Sequence, residues 1–190
     1  MSALLDQLQS AVAGRSPLVY LQSSEEERVV SALRETAART DNTPVIIWTC
    51  VDGLAGEEDA AATRDPVVAL ARIVGRTEPC FYILKDLSAF MDEPRVIRAL
   101  RDIYYSGRTA DGRIVFLLNA ELVVPQSLMK EIHLLEIAPP DDKEIAAQIA
   151  RVREEHPEYK IPEEAFGEVI LALKGLTETE IRHIMHRVGH

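Results

Sequence analysis

The chain has 190 residues, a hydrophobic fraction of 47% and a formal charge of −10. That is the size of one domain or a domain with a small appendage, with enough apolar residues for a proper core. The acidity argues against a general nucleic-acid surface and against docking on anionic lipid, both of which need clustered Lys and Arg. Two cysteines, Cys50 and Cys80, are too few for a disulfide framework. The start, Met1 to Asp6, has no basic segment ahead of a long apolar run, and no stretch is apolar enough to span a bilayer. These features lead to the expectation of a reduced, cytoplasmic setting without a membrane.

Leu4, Leu5, Leu8 and Val12 recur at helical spacing ahead of Gly14, so a short helix opens the chain. Pro17 to Leu21 reads as a strand that turns at once into a helix. Ser24 with Glu27 has the spacing of a capping box, and Val29, Val30, Leu33 and Ala37 line the inner helical face. Pro44 to Val51 is nearly continuous in apolar residues, the pattern of a strand buried on both faces of a parallel sheet. A polar segment from Asp52 to Arg64 follows. Asp65 with Pro66 then starts a helix as cap and first-turn proline. Cys80 to Leu84 is a third strand, ending in Lys85-Asp86. Glu93-Pro94 leads a helix that Gly107 ends. Arg113 to Leu118 is a fourth strand ending at Asn119, Pro125 to Lys130 a short helix, and Ile132 to Ile137 a fifth strand stopped by Pro139-Pro140. Beyond that the pattern is helical only, over Asp141–Glu155, Pro162–Lys174 and Thr177–Val188. The expectation is an α/β fold with a five-stranded, mostly parallel, doubly wound sheet over residues 1–139. A small helical lid-like subdomain follows over 140–190.

The first strand–helix junction is the most informative stretch. In nucleotide-binding α/β proteins it cradles phosphates and needs glycines and a lysine. Here Ser23-Ser24-Glu25-Glu26-Glu27-Arg28 supplies neither and brings three glutamates. A carboxylate ~8 Å from a phosphate charge repels it by about 2 kcal/mol at an effective dielectric of ~20. The glutamates also have a structural explanation, since the helix dipole favours negative charge in a first turn.

The order of elements resembles the AAA+ ATPase module. More narrowly, it is similar to the N-terminal, phosphate-loop-free module of a two-module AAA+ family found in cyanobacteria, plastids and other bacteria. The resemblance rests on Pro17-Leu18-Val19-Tyr20 with Glu25-Glu26-Glu27-Arg28, Trp48 with Gly53-Leu54, and Asp65-Pro66. It continues through Leu84-Lys85-Asp86 with Phe90, Pro125 with Leu128, and Gly175-Leu176-Thr177. It implies that this chain is the front part of a longer protein. It also implies an active AAA+ module as partner, in cis or in trans, and a ring or other homo-oligomer in the whole protein. ATP and Mg²⁺ would belong to that parent, with no cofactor for this chain.

Carried onto this sequence, the resemblance places Asp86 where active relatives hold a Mg²⁺-binding carboxylate. The next position, usually a water-activating glutamate, is Leu87. Asn119 falls at the γ-phosphate-sensing position and Arg182 near the lid arginine. Each has a simpler reading: a loop cap or a Lys85 partner for Asp86, a turn former for Asn119, a solvated helix residue for Arg182. His183, His186 and His190 are spaced along one helical face, which a surface helix explains without a metal. Cys50 and Cys80 read as buried thiols on adjacent strands. Asp52, Gly53, Gly56, Glu57, Glu58 and Asp59, in the acidic loop at the sheet's C-terminal edge, are the candidate partner contacts. Three functions remain open: a non-catalytic regulatory or scaffolding module of an AAA+ ATPase, a divergent nucleotide-binding NTPase, and a free-standing acidic interaction module.

Overall fold

A computed structural model describes residues 3–108, 112–156 and 161–188. Its elements are α1 (Ala3–Ala13), β1 (Leu18–Gln22), α2 (Glu26–Arg39), β2 (Val45–Thr49), β3 (Gly53–Leu54), α3 (Pro66–Val74) and β4 (Cys80–Lys85). They continue with α4 (Pro94–Gly107), β5 (Arg113–Asn119), β6 (His133–Glu136), α5 (Asp142–Glu155), α6 (Phe166–Leu173) and α7 (Glu178–Val188). The expected helix at Pro125–Lys130 is a single 3₁₀ turn, Gln126–Leu128. Among the described residues no helix is long and apolar enough to cross a membrane.

The strands form one sheet in the order β3-β2-β4-β5-β1-β6. All pairs are parallel except β2 with β3. The five expected strands are present, and the sixth, β3, lies inside the segment read as a polar loop. Two residues carry no periodicity, so β3 is invisible to pattern analysis. Burial also differs from expectation at the margins. Every residue of β5 is buried, as befits a central strand of a parallel sheet. In β2 only Trp48 is fully buried, and β6 is mostly exposed. The apolar run of β2 sits near an edge that only the short β3 covers.

One face of the sheet contributes Leu18, Tyr20, Tyr82, Leu84, Val115 and Leu117 to a core shared with Leu70 and Ile73 of α3 and Leu100 and Ile103 of α4. Alternation then turns Val19, Leu21, Phe81, Ile83 and Phe116 to the opposite face, where they are equally buried. Phe81 meets Phe116 edge to face at 5.4 Å. Arg113 is buried at the base of β5, where its guanidinium donates to the carbonyls of Ile73, Val74 and Arg76. It thereby satisfies the open C-terminal carbonyls of α3. Burial lowers the Arg113 pKa, with Tyr82 acting in the opposite sense.

The chain divides into two compact units. One is Leu5–Ile137, and the other runs from Ala138 onward together with the first residues of the chain. The second unit packs Ile145, Ile149 and Val152 of α5 with Leu173, Ile181 and Met185. Asp141 and Glu144 close a capping box at α5, and Thr177 with Glu180 does the same at α7.

Candidate functional site

In open α/β sheets, sites are built outside the carboxyl ends of the strands where the strand order reverses. Here that place lies beyond β1 and β5, which end in register at Gln22 and Asn119. Only Ser23, Ser24 and Glu25 separate β1 from α2. A phosphate loop of the G-x-x-x-x-G-K-[ST] type spans eight positions and wraps the anion in backbone N–H groups. Three residues leave no such wrap. The Ser23 N–H is committed to the Asn119 carbonyl at 2.9 Å, and the Glu25 N–H to the Ser23 hydroxyl at 3.0 Å.

Two ion pairs stand at this junction. Arg28 donates to Glu25 at 2.7 Å, with both side chains less than a tenth exposed. Glu26 meets Lys85, from the tip of β4, at 2.6 Å. The positive end of α2 is thus answered by the protein's own carboxylates. The expected Ser24–Glu27 capping box is absent: α2 begins at Glu26, and its cap position, Glu25, makes no side-chain cap bond. The turn made by Ser23 and the pull of Arg28 on Glu25 displace it.

Asp86 has left-handed backbone angles, φ 55° and ψ 24°, and leads a 3₁₀ turn over Leu87–Phe90. Its N–H donates to the Leu118 carbonyl at 3.0 Å, its carbonyl accepts from Ala89, and its side chain does not cap the turn. Lys85, the neighbour expected to pair with it, pairs instead with Glu26. Leu87 is fully buried in the core beside Trp48 and Leu84. A proton acceptor at this position would point into hydrocarbon rather than at a water.

Asn119 is buried, and its Oδ1 accepts from the Ser88 N–H at 3.1 Å. Its Nδ2 is also buried and has no hydrogen-bond partner. Asn119 and the Asp86 turn are therefore brought together. Arg182 belongs to the second unit, exposed on α7. Ser88 was not singled out in the sequence, nor was the pairing of Lys85 with Glu26, because those contacts join separate elements and spacing does not encode them.

The acidic segment is built rather than a structureless connector. Gly53 is buried with φ +76°, and a Cβ there would lie 1.9 Å from the Ala60 carbonyl oxygen. Thr63 holds the segment closed, its hydroxyl accepting from the Leu54 N–H and its carbonyl from the Trp48 indole. Glu57 has a buried side chain that meets Arg72 at 3.3 Å and Arg76 at 2.8 Å. Asp52, Gly56, Glu58 and Asp59 are exposed. Cys80 is buried and burial raises its pKa, but Cys50 is exposed in the turn after β2 rather than buried on a strand.

Comparison with known proteins agrees with this fold. Solved structures with the same fold include the FIGL-1 AAA domain in complex with ADP, at TM-score 0.63 and 10% identity, covering 92% of this chain and 60% of that one. PCH-2 of C. elegans matches at TM-score 0.57 and 10% identity, covering 95% and 61%. Among curated proteins, the AAA domain-containing protein ycf46 of Guillardia theta is 28% identical over 92% of this chain and 35% of its own length. The ycf46 protein of Trieres chinensis is 24% identical, over 96% and 37%. The chain thus spans about a third of the length of these relatives. The family model described as the SpoVK-like AAA ATPase, N-terminal domain, matches residues 4–137. A match over most of the chain, with the AAA fold beneath it, places this protein in the family of SpoVK-like AAA ATPase N-terminal domains.

Proposed function

We propose that this chain is a non-catalytic AAA+-like module that regulates, scaffolds or recruits substrate for an active AAA+ ATPase, attached to it or bound by it. The β1–α2 junction carries this reading. Three residues replace a phosphate loop, and the Glu25–Arg28 and Glu26–Lys85 pairs occupy the place of the anion. Leu87 removes the base that would activate water. The relatives extend well beyond the part this chain matches, and that remainder is where an active module would lie. Asp52, Glu58 and Asp59 offer exposed carboxylates to a basic partner, in a contact that salt would weaken.

The unpartnered Asn119 Nδ2 favours the rival reading, a divergent nucleotide site that includes Asp86 and Asn119. One amide donor is little against the carboxylates across the junction. Thermal melting with and without Mg²⁺-ATP separates the two. The regulatory reading expects no nucleotide-dependent shift and no hydrolysis. A stabilisation that disappears in Asp86→Ala would establish the rival.

A further inference from the structure

The second unit brings three potential metal ligands to one point. Glu155 and His156 lie at the end of α5, and His186 lies on α7, thirty residues further on. One ligand atom from each falls within 4.8 Å of the other two. The imidazoles meet edge to face, with centroids 4.9 Å apart and planes at 87°. Both histidines are half-buried, and Glu155 is exposed. An aromatic pair alone needs no third group. A carboxylate oxygen converging on the same point is what a cation requires.

We propose that Glu155, His156 and His186 form a binding site for a divalent transition-metal ion, with Zn²⁺ as its ligand. Two imidazole nitrogens and one carboxylate suit borderline ions, whereas Mg²⁺ and Ca²⁺ select all-oxygen sites. Tetrahedral Zn²⁺ holds its ligands ~2.0–2.2 Å from the metal, which places ligand atoms ~3.3–3.6 Å from each other. Closing from the observed spacing takes about 1 Å of side-chain rotation, within reach of an exposed glutamate and two half-buried rings. The ion would tie the end of α5 to α7 across the intervening α6. Three protein ligands leave a fourth position for water or for a donor from a bound partner.

The ligand set differs from the one that helical spacing offers. His183 and His186 share a face of α7, but His183 is not among the converging groups, and His190 lies outside the described residues. Zn²⁺ titration by calorimetry tests the assignment on the full chain after chelator treatment. The variants are His156→Gln, His186→Gln and His183→Gln, with circular dichroism confirming that each folds. Saturable Zn²⁺ binding is expected, without Mg²⁺ binding. His156→Gln and His186→Gln are expected to weaken it at least about tenfold, a loss in the range seen when even supporting groups of metal sites are removed. His183→Gln should bind as the parent does. Co²⁺ should give the visible absorption of a tetrahedral site, abolished in His186→Gln. Absence of Zn²⁺ binding would overturn the proposal. So would unchanged affinity in His156→Gln, or a loss in His183→Gln matching that in His186→Gln.

Discussion

Replacing Gly53 with alanine tests whether the acidic segment is a built part of the sheet edge. Alanine at φ +76° enters a region that costs an L-residue about 1–2 kcal/mol. Its Cβ would stand 1.9 Å from the Ala60 oxygen, where real contacts stay above 3.0 Å. The 3₁₀ turn over Ala60–Arg64 must therefore retreat by about 1 Å, more than a packed backbone yields freely. That shift strains the hydrogen bonds of Thr63: 2.7 Å from the Leu54 N–H, 2.8 Å to the Ala60 carbonyl and 2.5 Å from the Trp48 indole. Losing two of the three at about 0.5–1.5 kcal/mol each adds about 1–3 kcal/mol. The total is about 2–5 kcal/mol. Trp48 is the only tryptophan and lies at the disturbed contact, so urea unfolding followed by its fluorescence reads the change directly. A loss below about 1 kcal/mol would refute the reasoning, because positive φ alone accounts for that much. If Gly53→Ala folded like the parent but lost a partner, Gly53 would be a contact residue rather than a hinge of the fold.

Other outcomes follow from the same structure. Arg113→Met leaves the carbonyls at the end of α3 without their buried donor and should cost about 3 kcal/mol in chemical unfolding. In the second unit, burial pushes the Asp141 carboxyl up. The N–H groups of Glu144, Ala3 and Lys143 outweigh that and hold it below its ordinary value. Hydrogen bonds from Thr177 likewise hold Glu180 low. Groups with depressed folded values contribute fully above their unfolded pKa of about 4 and lose that contribution as the pH falls through the folded values. Melting followed by circular dichroism should therefore show stability falling below about pH 4, with a shallower fall in Asp141→Asn. Cys50 should react with a thiol reagent in the native protein, and Cys80 only after denaturation.

The sequence makes the central part of the fold legible because composition and position agree there. The unbroken apolar run of β5 means burial on both faces, and β5 has it. The same kind of run in β2 misleads, since two-faced burial depends on what lies alongside, and β2 has only a two-residue neighbour outboard. Caps written locally, such as Asp65 ahead of Pro66, form as spaced, the Asp65 carboxylate accepting from the Val67 and Val68 N–H groups. The Ser24–Glu27 pair has equally good spacing but loses to Ser23 and Arg28, which reshape the turn. At the candidate site, the missing glycines are plain in the sequence. The partner of Lys85 is not, because Glu26 lies 59 positions away, and pairing across a sheet edge follows from strand order alone. The left-handed backbone of Asp86 and the spare amide of Asn119 belong to geometry that residue type permits without specifying.

The proposed non-catalytic role requires that the first strand–helix junction, with its Glu25–Arg28 and Glu26–Lys85 pairs, binds no nucleotide. Calorimetric titration of the isolated chain with ATP and ADP in the presence of Mg²⁺ tests it most directly. No heat of binding is expected at millimolar nucleotide. Micromolar binding would contradict it and show that the carboxylates of the junction do not close the site.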